Sequence, residues 1–217
     1  EILIAKRKIE EHNTAKKIYH LGESHCLSFA RSLLNINGHK SIIHPQLTFG
    51  VKAYHLAQKK NNFYKSSIEY KFKEMPKFST VLISIGEIDC RLGEGFLKVK
   101  DLNNAALREN IEKTVKGYVS WIKDQNKHRL HNLYFLNIPA PVYRDSFSQL
   151  DNEKAAKVVK LFNERLQHEV ILSGFNLIDV YKLTIDRCGF SNNIYHIDAV
   201  HLGRHILPEI SIICDLL

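Results

Sequence analysis

Long apolar runs are missing from this sequence, because charged residues interrupt every apolar stretch before it reaches the roughly 18 to 20 residues of a membrane-spanning helix. We therefore expect no membrane insertion. Proline and glycine are also few, at 5 and 10 of 217 residues, and no Pro- or Gly-rich linker, repeat or low-complexity tract divides the chain. With 44% hydrophobic and 25% charged residues, the composition is that of an ordinary globular domain.

Cysteine is scarce and never closely paired. Cys26, Cys90, Cys188 and Cys214 are widely spaced, and none belongs to a C-x-x-C motif. Dispersed cysteines without the spacing of a disulfide framework or a zinc site are typical of proteins in a reducing compartment. We therefore predict free thiols and a cytoplasmic location.

The N-terminal segment has neither the charge order nor the small-residue cleavage site of a signal peptide, and it lacks an initiator Met. A processed start and a domain of a longer multidomain polypeptide both fit this feature. Apolar residues in residues 1–15 are too sparse for a strong helical stripe. We predict a lead-in or linker helix over residues 1–15 and one folded domain over residues 16–217.

Basic residues outnumber acidic ones, with 31 Lys and Arg against 23 Asp and Glu and a net charge of +8. This balance favours polyanions or acidic surfaces as neighbours, although dispersed lysine is also ordinary on a solvated surface. The sequence has no clustered basic helix, aromatic ribonucleoprotein motif or zinc knuckle. We therefore expect no nucleic-acid partner.

Short apolar segments alternate along the chain with longer segments of helical periodicity. Strands are predicted at 18–21, 41–44, 79–85, 132–138 and 175–179, and helices at 27–34, 51–58, 102–127 and 152–172. Strands separated by helices need crossover connections, which give a mostly parallel sheet covered by helices on both faces. The sequence therefore predicts an α/β fold, a three-layer α/β/α sandwich whose reactive groups lie in loops beyond the carboxyl ends of the strands.

The first of these loops is Gly22-Glu23-Ser24-His25, in which a serine follows the first strand and precedes a helix. Such a serine is well placed for nucleophilic attack, because the free backbone N–H groups of a helix N-terminus can stabilise an oxyanion. A helix N-cap is the commoner use of serine at such a position. The loop by itself leaves both roles open for Ser24.

The last loop carries Asp198 and His201 just before a final apolar helix. A serine nucleophile needs a general base, and the base needs a carboxylate that orients it. Asp198 could instead cap the final helix, and His201 could be a half-buried surface residue. A metal site formed with His205 is a further alternative, since His residues at i and i+4 can share an ion, but no established zinc motif accompanies them.

A third candidate loop follows the strand predicted at 79–85. It carries Glu87, Asp89 and Arg91 at the end of the most apolar strand in the chain. An arginine beside carboxylates can fix a loop through a bidentate ion pair, or it can bind a substrate carboxylate or phosphate. Loops at strand ends host both roles, so both remain open.

The order of these segments resembles the blocks of the SGNH (GDSL-like) hydrolase superfamily. The matching segments are Gly22-Glu23-Ser24-His25, a Gly in the second loop, Gly86-Glu87-Ile88-Asp89 and Asp198-x-x-His201. They span nearly the whole chain, and the resemblance implies a flavodoxin-like fold. It also implies Ser24 as the nucleophile, His201 as the general base and Asp198 as the acid that orients it.

Members of that superfamily stabilise the oxyanion with three donors. These are the backbone N–H of the serine, an N–H of a Gly in the second block and an Asn side chain in the third block. Gly50 matches the second donor, but Ile88 occupies the position of the Asn, so a carboxamide is missing there. Losing one such donor costs about 100- to 1000-fold in rate in other serine hydrolases. We expect Arg91 to replace it, with Glu87 and Asp89 orienting the guanidinium.

The resemblance implies a serine-dependent esterase that transfers an acyl group to water through an acyl-enzyme, without a cofactor or a metal. We expect a small acyl group such as acetyl on a small-molecule or glycan ester, because nothing in the sequence resembles a long apolar helical lid. One alternative is a carbohydrate O-acetyltransferase of polysaccharide biosynthesis, in which a sugar hydroxyl replaces water. Another is a catalytically silent glycan-binding module, which the missing Asn suggests.

Overall fold

The computed structural model describes residues 16–98 and 104–217. The lead-in helix predicted over residues 1–15 lies outside the described residues. The strands are β1 (Lys16–Gly22), β2 (Leu33–Ile36), β3 (His39–Leu47), β4 (Thr80–Ser84), β5 (Asn132–Leu136) and β6 (Asn176–Ile178). The α-helices are α1 (His25–Ser28), α2 (Ala53–Ala57), α3 (Phe63–Glu74), α4 (Glu87–Cys90), α5 (Asn104–Asn126), α6 (Gln149–Leu172), α7 (Val180–Thr184) and α8 (Leu207–Leu216).

The strands form one six-stranded sheet in the order β2-β3-β1-β4-β5-β6. Every neighbouring pair is parallel except the antiparallel pair β2–β3. Helix α5 connects β4 to β5 and helix α6 connects β5 to β6, and crossovers of this kind bring successive strands into a parallel arrangement. The predicted α/β fold with a mostly parallel sheet is confirmed.

Strand β4 shows how the sheet is covered on both faces. Val81 and Ile83 pack into one core with helices α3, α5 and α6, whereas Leu82 packs into a second core with helix α8. All three side chains are at most 1% exposed. Successive side chains of a strand point to opposite faces, so a strand buried on both faces must be apolar throughout. This explains why its sequence signal is strong and confirms the three-layer arrangement.

The helix predicted at 27–34 is wrong beyond Ser28. Strand β2 begins at Leu33 and pairs antiparallel with β3. The two strands are joined at Asn37 and Gly38, which have φ values of +52° and +72°. Positive φ at both central residues is the geometry of the tightest hairpin turns, and Asn-Gly is the preferred sequence for it. The short apolar segment fitted a helix and a strand equally well, and the hairpin turn decides between them.

The other predicted elements are present with shifted ends. The strand predicted at 41–44 is longer, because β3 continues through Pro45, which lies beyond the part of β3 that pairs with β2. Proline has no N–H to donate, and it is tolerated there because β2 does not pair with that part of β3. Helix α3 was not predicted. It buries Ile68, Phe72 and Lys65, which is too small an apolar set for a clear stripe.

Two predictions from composition can be compared with the structure. Cys26, Cys90, Cys188 and Cys214 are all free thiols, as predicted. No helix in residues 16–98 or 104–217 combines the length and the apolar character that crossing a membrane requires.

Strands β1 and β4 bring two of the candidate loops side by side. They are parallel neighbours, with Gly22 opposite Ser84. A Cβ atom at Gly22 would lie 2.3 Å from the carbonyl oxygen of Ser84, so this close approach requires a glycine. The loops that begin at Gly22 and Gly86 therefore leave the sheet next to each other at its carboxyl edge.

Gly86 and Gly174 both have a positive φ, but only at Gly86 would an added side chain overlap with a neighbour. A comparison of the two separates backbone strain from overpacking. Gly86 has a φ of +135°, and a Cβ there would lie 2.5 Å from the ring of Phe162. Gly174 also has a positive φ, +75°, but its Cβ would meet open space. We predict that Gly174→Ala lowers the free energy of unfolding by about 1 kcal/mol through backbone strain alone. Gly86→Ala should lower it by about 3 kcal/mol or more, because overpacking adds to the strain.

Urea denaturation of both variants and of the parent measures these differences. Equal losses in the two variants would show that the Phe162 ring moves aside at little cost, contrary to this prediction.

Candidate active site

Ser24 and His201 lie in contact although they are far apart in the chain. Ser24 directly precedes helix α1, and its side chain makes no capping hydrogen bond to that helix. Its Oγ instead lies 2.9 Å from Nε2 of His201. The N-cap alternative for Ser24 is therefore wrong, and the hydroxyl faces a potential general base.

Asp198 orients His201 from within the same loop. Its Oδ2 lies 2.8 Å from Nδ1 of His201, and its Oδ1 accepts hydrogen bonds from the backbone N–H groups of Val200 and His201 at 2.7 and 2.6 Å. Asp198 therefore caps this loop, not the final helix α8. Because the carboxylate accepts from Nδ1, a neutral His201 has its lone pair on Nε2, directed at Ser24. This is the tautomer that a general base requires.

The surroundings of Asp198 favour its ionised form. Partial desolvation acts to raise the pKa of this carboxyl, but the backbone and ring hydrogen bonds of His201 and the N–H of Val200 outweigh it and lower the pKa to about 2. Asp198 therefore remains a carboxylate at any pH near neutrality.

The alternative metal site with His205 does not form. The Nε2 of His205 donates to the carbonyl oxygen of Ile194 at 2.7 Å, and its ring stacks on Tyr195 at a centroid distance of 5.7 Å. His205 therefore lies against its own loop, where it contributes no ligand beside Asp198 and His201.

His25 connects the first loop to the last one. Its Nδ1 lies 2.9 Å from Oε1 of Glu23, and its Nε2 lies 3.1 Å from the carbonyl oxygen of Val200. Both acceptors require a hydrogen on the facing nitrogen, so His25 is an imidazolium cation paired with a carboxylate. Burial alone would lower the pKa of His25, but the hydrogen bond and the charge of Glu23 outweigh burial and raise it.

Ser24 has a second neighbour besides His201. Its Oγ lies 3.1 Å from Oε2 of Glu23, and its one hydroxyl hydrogen can be donated to only one of the two at a time. An unpaired carboxylate there would also repel an oxyanion. The His25 imidazolium pairs with Glu23, and the positive charge of Arg91 acts on it as well. The negative charge beside Ser24 is therefore balanced.

Among the described residues, the side chains close enough to share a metal ion are those of Glu23, His25 and Glu87, whose ligand atoms lie within 4.8 Å of one another. Both nitrogens of His25 already make hydrogen bonds, and an ion would have to replace one of them. We therefore interpret this group as a charge cluster. No motif predicts a role for Glu23 or His25, although their positions on either side of Ser24 were a signal.

Glu87 orients Arg91 as predicted, but Asp89 does not. Nε of Arg91 donates to both carboxylate oxygens of Glu87, at 2.9 and 2.7 Å. The carboxylate of Asp89 instead accepts from the backbone N–H groups of Ala53 and Tyr54 at 2.7 and 3.0 Å, at the start of helix α2. Asp89 is 2% exposed, and burial raises its pKa to about 7. Its role is to join the third loop to α2, because the unsatisfied N–H groups of that helix need an acceptor.

The second loop lies at the same edge of the sheet as Ser24. The N–H of Thr48 donates to the carbonyl oxygen of Gly22 at 2.8 Å, and Gly50 follows in the left-handed conformation with a φ of +68°. Ile88, at the position of the expected Asn, is 8% exposed. The second and third loops therefore both border the loop of Ser24, and the third offers no carboxamide at position 88.

A cleft with a volume of about 420 Å³ adjoins His201. Arg91 lines it together with Arg144 and Phe147, which belong to the loop between β5 and α6. Its remaining wall is mostly apolar and includes Ile138, Pro139, Ala140, Ala155 and Val159. The sequence predicts reactive groups in the loops beyond the strands, and the loop of Arg144 follows the strand predicted at 132–138, but the sequence singles out no residue there because an arginine in a long loop carries no motif. The cleft therefore reaches the site at His201, and Ser24 is not among its lining residues.

The pair of His25 and Glu23 predicts a specific pH dependence of stability. Because its pKa in the folded protein is raised above the usual value of about 6.5, His25 stabilises the fold fully below that pH. This contribution is lost as the pH rises through the raised pKa. We predict that the difference in Tm between the parent and His25→Gln shrinks as the pH rises from 6 to 9. At pH 6 His25→Gln should be less stable than the parent by about 3 kcal/mol, because it leaves Glu23 buried without its partner.

Thermal unfolding of both proteins across this pH range tests the prediction. His20 and His196, whose pKa values burial lowers to about 3 and about 4, favour the fold more as the pH rises through 6.5, whereas Asp89, whose pKa burial raises to about 7, has the opposite effect. The parent and the variant are therefore compared with each other at every pH. His128→Gln, at an exposed position, is the matched control and should follow the parent. Parallel pH profiles of His25→Gln and the parent would contradict the assignment of an imidazolium.

The structure of this chain is similar to those of several known proteins. No protein-family model matches the sequence, and neither does a curated protein. A candidate SGNH hydrolase from Slackia heliotrinireducens has a similar structure, with a TM-score of 0.54 and 12% identity over 94% of this chain and 98% of that one. A GDSL-like lipase from Bacteroides thetaiotaomicron gives a TM-score of 0.54 and 13% identity over 98% and 93% of the two chains.

An acetyl xylan esterase is also similar, with a TM-score of 0.51 and 15% identity over 92% of this chain and 96% of that one. At such low identities the similarity concerns the path of the chain, and it extends over nearly the whole length of each protein. The resemblance of the ordered sequence blocks and the described sheet agree with it. The chain therefore has the fold of the SGNH (GDSL-like) hydrolases.

Proposed function

We propose that this protein is an esterase that cleaves a small acyl ester, such as an acetyl ester of a carbohydrate, through an acyl-enzyme on Ser24. The observation that supports this most directly is the chain of hydrogen bonds from Ser24 Oγ to His201 Nε2 at 2.9 Å and from His201 Nδ1 to Asp198 Oδ2 at 2.8 Å. A serine, an oriented base and a carboxylate in this arrangement are the parts that nucleophilic acyl transfer needs.

In the proposed reaction His201 removes the hydroxyl proton of Ser24 while Oγ attacks the ester carbonyl carbon. The tetrahedral oxyanion collapses, the bond to the alcohol oxygen breaks, and the leaving alcohol takes the proton from His201. Water then attacks the acyl-enzyme, giving its proton to His201, and the carboxylic acid leaves as Ser24 regains a proton. Asp198 stabilises the imidazolium form of His201 in both halves of the reaction.

The oxyanion needs donors, and we assign them to the backbone N–H groups of Ser24 and Gly50 and to the side chain of Arg91. Arg91 lines the cleft beside His201, and Glu87 holds its guanidinium through a bidentate pair. A fixed positive charge in a partly buried site can stabilise developing negative charge without reorganising during the reaction. Arg91 would thus supply the oxyanion donor that the side chain of Ile88 cannot.

The size of the cleft supports a small substrate. A volume of about 420 Å³ is near the lower end of ligand pockets and suits one sugar ring with a short acyl group. Similarity to an acetyl xylan esterase is consistent with a carbohydrate ester, although a phospholipase A1 from Streptomyces albidoflavus is similar to the same degree, with a TM-score of 0.52. The support for a small acyl group is therefore the volume of the cleft and not the similarity to these esterases.

The two alternative functions are not favoured. A silent binding module has no need of an oriented base against the serine, whereas His201 is held by Asp198 with its Nε2 at Ser24. An acetyltransferase would use the same three side chains, and no described feature selects a sugar hydroxyl over water. Hydrolysis is therefore the function that we test.

Substitution of the nucleophile should abolish hydrolysis. We predict that Ser24→Ala and His201→Ala each lower kcat for 4-nitrophenyl acetate by about 10⁴-fold or more, because the serine and its base act as one unit. Ser28→Ala, which changes the same residue type within helix α1, is the control and should retain the parent's kcat. Loss in Ser28→Ala, or retention in Ser24→Ala, would contradict the assignment of the nucleophile.

A second prediction concerns Arg91. Removing it alone would leave Glu87 unpaired, so Arg91→Met is made in a Glu87→Gln background and compared with Glu87→Gln. We predict a fall in kcat of about 100-fold with little change in KM, since an oxyanion donor acts in the transition state. Steady-state kinetics with 4-nitrophenyl acetate measures both constants. An unchanged kcat would assign the third donor to another group.

A further inference from the structure

Arg144 is a cation without a carboxylate partner in the cleft beside His201. It lies in the loop between β5 and α6, it is half-buried, and it lines the cleft together with Arg91. Within residues 16–98 and 104–217, no carboxylate oxygen lies within 4.0 Å of a nitrogen of its guanidinium. A charge that is partly removed from water is stabilised by a partner that compensates for the lost hydration.

The other charges of the cleft already have partners. Nη2 of Arg91 lies 2.6 Å from Oε2 of Glu87. Glu94 lies between Arg91 at 3.8 Å and Lys52 at 3.9 Å. Both acidic side chains that line the cleft therefore face cations, and Arg144 is the positive charge that this pairing leaves over. A bound anion would complete the pairing.

The backbone at Arg144 is held in place by a buried side chain. Asn152, which is 3% exposed, accepts from the N–H of Arg144 at 2.9 Å and donates to its carbonyl oxygen at 3.0 Å. The guanidinium carbon lies 5.2 Å from the centre of the Phe147 ring. A guanidinium fixed at its base and packed on an aromatic ring loses less entropy on binding than a free surface arginine does.

We propose that Arg144 forms an anion subsite of the cleft and that the natural ester carries a carboxylate or a phosphate, as in an acidic sugar. The planar guanidinium matches both groups through two parallel hydrogen bonds, while the apolar wall of the cleft contacts the remainder of the sugar. The net charge of +8 would also attract such a substrate. This assignment rests on the proposed esterase function for its substrate, but the subsite can be tested by binding alone.

The binding test uses methyl glucuronide, glucose 6-phosphate and neutral methyl glucoside, titrated into the folded protein and followed by NMR. Hydrogen bonds to charged groups contribute enough that we expect at least one anionic sugar to bind the parent about tenfold more tightly than the neutral sugar. Arg144→Gln should lose this preference, and Arg144→Lys should keep part of it. Arg108→Gln, an exposed arginine on α5 outside the cleft, makes the same charge change and should keep all of it.

The kinetic test compares methyl glucuronide and methyl glucoside that carry an acetyl group on the same hydroxyl. We expect the parent to show a higher kcat/KM for the acidic ester. The ratio of the two kcat/KM values should fall about tenfold in Arg144→Gln through KM and remain unchanged in Arg108→Gln.

The outcomes separate the subsite from the esterase function. An anion preference that disappears in Arg144→Gln but not in Arg108→Gln supports the subsite, even if the parent hydrolyses no ester, in which case only the proposed function fails. Equal binding of acidic and neutral sugars by the parent, or equal preference in Arg144→Gln and Arg108→Gln, would overturn the subsite while leaving hydrolysis of neutral esters intact.

Discussion

The hydrogen bond from His25 to the carbonyl oxygen of Val200 is the contact on which the arrangement of the site depends. Its two residues are 175 positions apart, and they join the loop that carries the nucleophile to the loop that carries the base and its acid. The ring of His25 also lies 5.0 Å from that of His201, centroid to centroid. A displacement of about 1 Å between a nucleophile and its base can cost 100-fold in rate, so a fixed link between these loops matters for any chemistry at Ser24.

That link requires a buried charge, and the charge has to be compensated. Glu23 is 1% exposed and makes His25 a cation, while Arg91 beside it is held by Glu87. Buried ion pairs seldom add stability over apolar residues of the same size, because desolvation offsets the attraction. Their value here is positional. They fix the nitrogens that hold the Val200 carbonyl, and they cancel the negative charge that would otherwise face an oxyanion at Ser24.

Much of this arrangement could be predicted from the sequence, and the failures have physical reasons. The run 79–85 predicts β4 because a strand buried on both faces has to be apolar. The resemblance of the ordered blocks to the SGNH hydrolases grouped Ser24, Asp198 and His201, which the structure brings into contact. The prediction of a helix at 27–34 was wrong because a short apolar segment fits both the helical and the strand periodicity. The turn at Asn37 and Gly38 is the feature that favours the strand.

Other parts of the site depend on contacts that no local pattern encodes. Asp89 was expected beside Arg91, but a helix 36 residues earlier offers it two N–H groups. Arg144 was not predicted because its importance comes from the charges around it and from the contact with Asn152, and no sequence motif marks either of them. Labelling with a fluorophosphonate, followed by intact mass and peptide mapping, tests the central claim most directly. We predict one adduct, on Ser24, that is absent from His201→Ala; an unlabelled parent, or an adduct on another serine, would contradict the assignment of the nucleophile.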